Sequence, residues 1–320
     1  MEYRSLGRTG LSVSAICLGT MQFGWSADEE TSRQIMDAYV EAGGNFLDTA
    51  DIYSFWSRKS YAGKTEEILG RWFADRKNRD KIILATKVHG RMWRGPDGAG
   101  LGRAHILKAI EGSLERLQTD FIDLYQTHRT DPATPHEETL KAMDELVRRG
   151  RVRHIGCSNY PAADLSECLS VSRAKGLVRF ESHQPYYNLA DRQEFEDELL
   201  GLCEKEEIGI IPYSPLAGGF LTGKYRRGER PPKSDRMTDI QTRHLNDRGF
   251  RIVEKAQEIA GARGGSTASV ALGWLLSHPA VTAPIIGANS VDQLRESLQA
   301  GDLRLSEEEI NELNRVSGPD

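Results

Sequence analysis

The sequence predicts an α/β fold, a (β/α)8 barrel of the TIM type formed as one domain over residues 1–320, with an N-terminal hairpin and long barrel-mouth loops. Three observations carry this expectation. Eight short apolar runs alternate with amphipathic helical segments from one end of the chain to the other. The runs are near-continuous, as in Ile82-Ile83-Leu84-Ala85, which suits parallel strands covered on both faces. No linker, low-complexity tract or compositional shift divides the 320 residues. Such a barrel takes about 250 residues before insertions.

The elements follow in order. Residues 3–13 suit a short hairpin turning at Gly7 and Gly10. Strands are expected at 15–18, 45–48, 81–87, 121–126, 152–157, 178–184, 209–213 and 281–286. Helical patterns occupy 29–42, 65–74, 103–117, 136–149, 162–175, 193–206, 250–262, 267–277 and 291–298. In the third of these, Ile106, Ile110, Leu114 and Leu117 recur at three- and four-residue steps, with Lys108, Glu111 and Glu115 on other faces. Gly264 after Arg263 reads as a helix stop, and Ser306 before three glutamates as a helix start over 306–316. The surplus length falls in a glycine-rich loop, 88–102, and in the longest irregular insertion, 214–249.

Composition narrows the function. Lys+Arg number 42 against 47 Asp+Glu, a formal charge of −5, with a pI near 6.0. A protein that grips a nucleic-acid backbone needs a basic surface, so no nucleic-acid partner is expected. The N-terminal residues lack the basic-then-apolar pattern of a signal peptide. The longest apolar tract, 208–221, is broken by Pro212 and Pro215 and is too short to span a bilayer, so no membrane partner is expected. Cys17, Cys157, Cys168 and Cys203 show no CxxC pairing and read as reduced, buried thiols of a cytoplasmic protein, with no metal site expected.

In a barrel of this kind reactive groups gather at the C-terminal ends of the strands. Asp48 ends the second predicted strand and Tyr53 follows five residues later; Lys87 ends the third; His128 lies just beyond the fourth. A tyrosine titrates near pH 10 and is a poor acid at neutrality. A lysine ammonium beside it is expected to lower that value, and a carboxylate keeps the lysine charged and in place. A histidine N–H orients a carbonyl. Together these groups suit protonation of a carbonyl oxygen as hydride reaches its carbon.

The chain here resembles the aldo-keto reductase superfamily, its bacterial branch in particular. Asp48-Thr49-Ala50-Asp51-Ile52-Tyr53, Lys87 and His128 match that family's Asp/Tyr/Lys/His tetrad in order and setting. Further matches are Gly156-Cys157-Ser158-Asn159, Gln184, the run from Tyr213 to Lys224, and Pro284-Ile285-Ile286-Gly287-Ala288. The resemblance implies a cytoplasmic NAD(P)H-dependent oxidoreductase that turns an aldehyde or ketone into an alcohol, with Tyr53 as proton donor. NADPH is the expected cofactor, with NADH possible. The partner is a small-molecule carbonyl substrate, and the chain is expected to be a monomer or weak homo-oligomer.

Cofactor contacts are expected along the whole mouth. Ser158, Asn159 and Gln184 offer a hydroxyl and amides to a nicotinamide carboxamide, and Tyr213 a flat face to its ring. Gly19, Thr20 and Met21 follow the first strand. Ser214, Pro215, Leu216, Gly218 and Lys224 resemble the segment that wraps the pyrophosphate in related reductases. No Gly-x-Gly-x-x-Gly follows the first strand, so a Rossmann arrangement is not expected. Gly287, Ala288, Asn289, Gln293 and Ser297 are assigned to the adenosine end. Many family members set a Lys and an Arg there against the 2′-phosphate; Gly287 and Gln293 stand at those positions in this chain, leaving Lys224, Arg226 and Arg227 as the nearest cations by sequence. Trp25, Phe55, Trp56 and Trp93 are expected to wall the substrate, with Arg58, Lys59, Arg94 and Arg129 near the same mouth. Two other readings are a cofactor-binding regulator resembling potassium-channel β subunits, and a Schiff-base lyase using Lys87 as nucleophile.

Overall fold

The computed structural model describes residues 1–57, 60–232 and 236–319. Arg58 and Lys59 lie outside the described residues. The chain opens with an antiparallel hairpin, β1 (Tyr3–Ser5) and β2 (Ser12–Ser14), in which Tyr3 faces Ser14. Gly7 and Gly10 hold φ of 49° and 76° in its loop. A Cβ on Gly7 would lie 2.4 Å from the Glu181 carbonyl oxygen, so glycine lets the hairpin press against the barrel.

Strands and helices then alternate: β3 (Cys17–Gly19), α1 (Glu29–Glu41), β4 (Phe46–Asp48), α2 (Lys64–Arg76), β5 (Ile83–Val88), α3 (Arg103–Leu117), β6 (Ile122–Thr127), α4 (His136–Arg148), β7 (Val152–Ser158), α5 (Ala162–Lys175) and β8 (Phe180–Gln184). After β8 come α6 (Gln193–Phe195), a π-helical turn (Glu196–Leu200), α7 (Gly201–Lys205) and β9 (Gly209–Ile210). The insertion expected to be irregular carries α8 (Met237–Arg243), and the chain finishes through α9 (Asp247–Arg263), α10 (Thr267–Ser277), β10 (Ile285–Ile286), α11 (Val291–Leu298) and α12 (Glu307–Ser317). Ser306 caps α12 through a reciprocal bond with Glu309, as its position suggested.

The eight strands after the hairpin form one parallel sheet in the order β10-β3-β4-β5-β6-β7-β8-β9. Parallel bridges from Ile210 to Val281 and from Tyr213 to Ile285 join its two ends and close the barrel. β9 and β10 are only two residues long, shorter than expected. Pro212 and Pro284 interrupt these runs, and proline has no N–H for a ladder. Their carbonyls still accept, from Ile285 N at 2.8 Å and from Cys17 N at 3.0 Å.

Alternation along each strand sorts its side chains. Phe46, Ala85, Leu124, Ile211 and Ala283 fill the barrel, and Leu6 and Val13 of the hairpin are fully buried in the same cluster. Leu84 and Tyr125 belong to the larger core under the helices, with Ile106, Ile110, Leu114 and Leu117 of α3. Phe46 and Asp48 share one face of β4, as Ala85 and Lys87 do on β5 and Leu124 and Gln126 on β6. The inward face therefore turns from apolar to polar over a single step, which marks the floor of the site. Among the described residues, no helix is long and apolar enough to cross a membrane. The four cysteines are free and buried.

Candidate active site

A cavity of about 760 Å³ opens at the C-terminal ends of the strands. Asp48, Tyr53 and His128 line its floor, with Lys87 fully buried behind them. Lys87 Nζ donates to Asp48 Oδ1 at 2.5 Å, to the Thr49 carbonyl at 2.9 Å and to Tyr53 Oη at 3.0 Å. The four residues that the sequence singled out thus meet from three strand ends and the loop after β4.

Their ionisation follows from burial. Burial alone would push the Lys87 ammonium down, but Asp48 and Tyr53 outweigh it and hold the group above its ordinary value. An amine nucleophile must shed its proton, so this setting disfavours Schiff-base chemistry at Lys87. Burial raises the Tyr53 phenol; Lys87 pulls it down, and Asp48 pushes it up again. The expected lowering of the Tyr53 pKa is therefore corrected: the phenol lies above its ordinary value. The physical reason is that Lys87 arrives with Asp48, and a neutral ion pair offsets only part of the desolvation. Burial, with Lys87 second, drives His128 down to about 3, so its imidazole is neutral at physiological pH.

Three residues past Asp48 stands a second buried carboxylate, Asp51. Both of its oxygens are buried, and burial, with Glu66 second, pushes its carboxyl far up. It lies in the same loop after β4 that bears Tyr53.

Next along the wall come Ser158, Asn159, Gln184 and Tyr213. Ser158 Oγ donates to the Gln184 carbonyl at 2.9 Å. Asn159 Nδ2 donates to the His128 carbonyl and to Ser158 Oγ, both at 3.0 Å, and its Oδ1 accepts from Tyr213 Oη at 2.9 Å. Neither Ser158 nor Asn159 caps α5: the residue before that helix is Pro161, with no side-chain cap. Asn159 instead adopts φ 56°. Among the described residues, seven non-glycine residues have positive φ; Lys77, Gln118 and Glu207 sit at helix C-termini, whereas Ser54, Asn159, Ser214 and Ala217 sit at the barrel mouth. Such conformations are uncommon for residues with a Cβ and gather where side chains are aimed at a site.

Gly19, Thr20, Met21, Ser214, Pro215, Leu216, Gly218 and Lys224 also line the cavity, and Gly218 and Gly219 hold φ of 67° and 98°. At its far end stand Gly287, Asn289, Gln293, Glu296 and Ser297. Gln293 Oε1 accepts from Asn289 N at 2.9 Å, while Asn289 Oδ1 accepts from Ser26 Oγ at 2.6 Å. Ala288 is fully buried and off the cavity wall, because neighbouring residues of an extended segment face opposite ways. Arg226 and Arg227 are also off the wall, paired with Glu229 and with Asp247 and Glu254.

Trp25, Phe55 and Trp56 form an aromatic rim. Trp56 meets Trp25 edge-on at 5.6 Å, Phe55 at 5.3 Å and Tyr53 at 6.0 Å between centroids. Trp93 does not join them. Its ring lies 4.8 Å from His105, with Lys108 Nζ 4.4 Å from its centroid, so it covers the start of α3. Arg94 and Arg129 are likewise not on the cavity wall.

The sequence reading missed Gln22, Gln126 and Arg236. Gln126 had a signal: its β6 parity matches Leu124, so an amide points into the barrel beside Lys87, its register partner. Gln22 and Arg236 line the cavity from loops with no periodic pattern to reveal them.

Comparisons with known proteins identify the family. A model of the aldo/keto reductase family matches residues 15–317. An uncharacterized oxidoreductase of Bacillus subtilis, YrpG, is 39% identical, over 99% of this chain and 96% of its own length. A probable voltage-gated potassium channel subunit beta of rice, Oryza sativa, is 35% identical, over 95% of this chain and 92% of its own. Norsolorinic acid reductase A of Aspergillus parasiticus is 34% identical, over 95% of this chain and 78% of its own. With a closed barrel of eight parallel strands and a family match spanning nearly its whole length, this chain belongs to the aldo/keto reductase family of oxidoreductases.

Proposed function

We propose that this protein reduces an aldehyde or ketone to an alcohol with a nicotinamide cofactor, NADPH in modest preference to NADH, and that Tyr53 is the proton donor. The observation that carries the proposal is the buried 3.0 Å contact of Tyr53 Oη with Lys87 Nζ at the floor of the cavity. When bound, the nicotinamide supplies hydride. The residues suit that group: Gln184, Asn159 and Ser158 present polar atoms near the floor, Tyr213 presents a ring, and Gly218 and Gly219 leave the backbone approachable midway.

The remaining chemistry belongs to the chain. Tyr53 keeps its proton until a carbonyl oxygen gains charge, because burial holds its phenol above the ordinary value. Lys87 then stabilises the phenolate left behind, and Asp48 keeps Lys87 in place. Neutral His128 retains one ring N–H to donate to the same oxygen. At the far end Lys224 and Arg236 are cations on the wall and Glu296 is a carboxylate on it, so a 2′-phosphate meets a mixed field and selectivity for NADPH is modest.

A parallel screen of aldehydes, ketones and sugars with NADPH and NADH tests the reaction class. Tyr53→Phe is expected to lower kcat at least ~100-fold, the scale of a general acid, with cofactor Kd retained. Near-normal turnover in that variant would overturn the assignment. The likeness to the rice protein favours a second reading, a cofactor-holding regulator. Sustained multiple turnover of any carbonyl would exclude it.

A further inference from the structure

The two oxygens of Asp48 are used differently. Oδ1 accepts from Lys87 at 2.5 Å. Oδ2 accepts from two amides, Gln126 Nε2 at 3.0 Å and Gln184 Nε2 at 2.9 Å. Gln184 Nε2 also reaches Gln126 Oε1 at 3.3 Å, which ties the two amides together. All four residues are buried. Gln126 lies between Lys87 on β5 and Gly156 on β7 in the sheet. A Cβ at position 156 would stand 2.2 Å from Ser182 Oγ and 3.3 Å from Gln126 Cγ, so glycine there makes room for the Ser182 hydroxyl and lets the Gln126 stem pass closely. Unlike Gln184, Gln126 does not line the cavity and touches neither substrate nor cofactor space.

We infer that Gln126 is a positioning residue for the reduction: its bond to Asp48 Oδ2 fixes the carboxylate and spreads its charge, so that Lys87 serves Tyr53 as well as Asp48. This rests on the reading of Tyr53 as proton donor. A buried carboxylate whose charge is met by several donors binds each of them less exclusively. With one amide removed, Asp48 leans harder on Lys87, and Tyr53 feels more of the carboxylate and less of the ammonium. The phenol is then harder to ionise. Other groups that act on this centre are Cys17 from β3, Asp51 from the loop after β4, His128, Tyr213 and Arg236.

The test uses Gln126→Leu and Gln126→Glu, with Tyr53→Phe as reference. Gln126→Leu is expected to lower kcat for reduction about tenfold, the scale of a lost bond to a charged group, while NADPH Kd read by fluorescence stays within about twofold. In the alcohol-oxidising direction, which starts from the phenolate, the rising limb of kcat should move up by about half a pH unit or more. Gln126→Glu is expected to match the wild type at low pH, where a neutral carboxyl donates in place of the amide. It should lose activity as it ionises against Asp48, giving a pH step the wild type lacks. Wild-type kcat and pH limbs in both variants would overturn the inference. So would a loss of kcat in Gln126→Leu with an unmoved limb and no new step in Gln126→Glu, since that is the pattern of mere packing. If Gln126→Leu does not fold, the presence or absence of the pH step in Gln126→Glu decides. If Tyr53→Phe turns over normally, the proton-donor reading falls and this inference with it; if Tyr53→Phe is inactive and Gln126 is silent, only the inference falls.

Discussion

The two ends of the cavity are built differently. At the floor, Asp48, Lys87, Gln126 and Gln184 are 0–3% exposed, and their polar atoms bond to one another across three strands or more. At the far end Asn289, Gln293 and Glu296 are exposed, and the bond from Asn289 N to Gln293 stays within four residues. The floor works at low effective dielectric, where moving one charge or one donor changes every neighbour. The far end is wet and screened by salt. Preorganisation therefore lives at the floor, and adaptable cofactor selectivity at the rim.

The largest effect expected from breaking this contrast is at Lys87. Lys87→Met should nearly abolish reduction, at least ~100-fold in kcat. It also strands Asp48 as an unpaired buried charge, a change that costs about 3–5 kcal/mol of stability. The double variant Asp48→Asn with Lys87→Met should recover most of that stability but none of the activity, as read by thermal melts and steady-state rates side by side. Recovery of activity in the double variant would show that Lys87 does not serve Tyr53.

The two nearby carboxylates sharpen the point. Asp48→Asn should damage turnover less than Lys87→Met, about tenfold, because the lysine remains. Asp51→Asn replaces a carboxyl that burial pushes far up with an amide of similar shape, away from the Lys87 ammonium's bonds, and should leave kcat nearly intact. Equal losses at both positions would mean that Asp51 serves the centre as Asp48 does.

Smaller is the effect of acid. Burial holds His128 near 3 and His183 near 4. An unfolded chain binds protons at both sites near pH 6.5, and the folded one does not until pH 3–4. Stability is thus whole above pH 6.5 and declines as pH falls through that window, by up to about 2 kcal/mol per histidine at pH 5. His128→Gln should blunt the fall in Tm between pH 7.5 and 5. An undiminished fall in that variant would place the acid lability elsewhere.

The smallest effect belongs to the rim. Gln293→Arg should raise the ratio of NADH to NADPH Kd by about tenfold or less at physiological salt. A wild-type preference for NADH, or no gain from the substitution, would misplace the adenosine end.

By itself the sequence determined what depends on near neighbours. Strand and helix alternation, the face of α3, the Ser306 cap and the turn glycines rest on spacing, steric limits and local hydrogen bonds, all of which act over a few residues. The tetrad was legible because polar residues closing apolar strands must gather at one end of a parallel barrel. Only the tertiary structure decided what depends on residues far apart in the chain. Trp93 covers α3 and not the rim, β9 and β10 shrink around Pro212 and Pro284, and a π-helical turn interrupts the helix expected over 193–206. It also decided that burial outweighs Lys87 at Tyr53, and that Gln126 and Gln184, 58 positions apart, share one oxygen of Asp48. Desolvation and long-range bonds are set by what packs around an atom, and no local pattern records them.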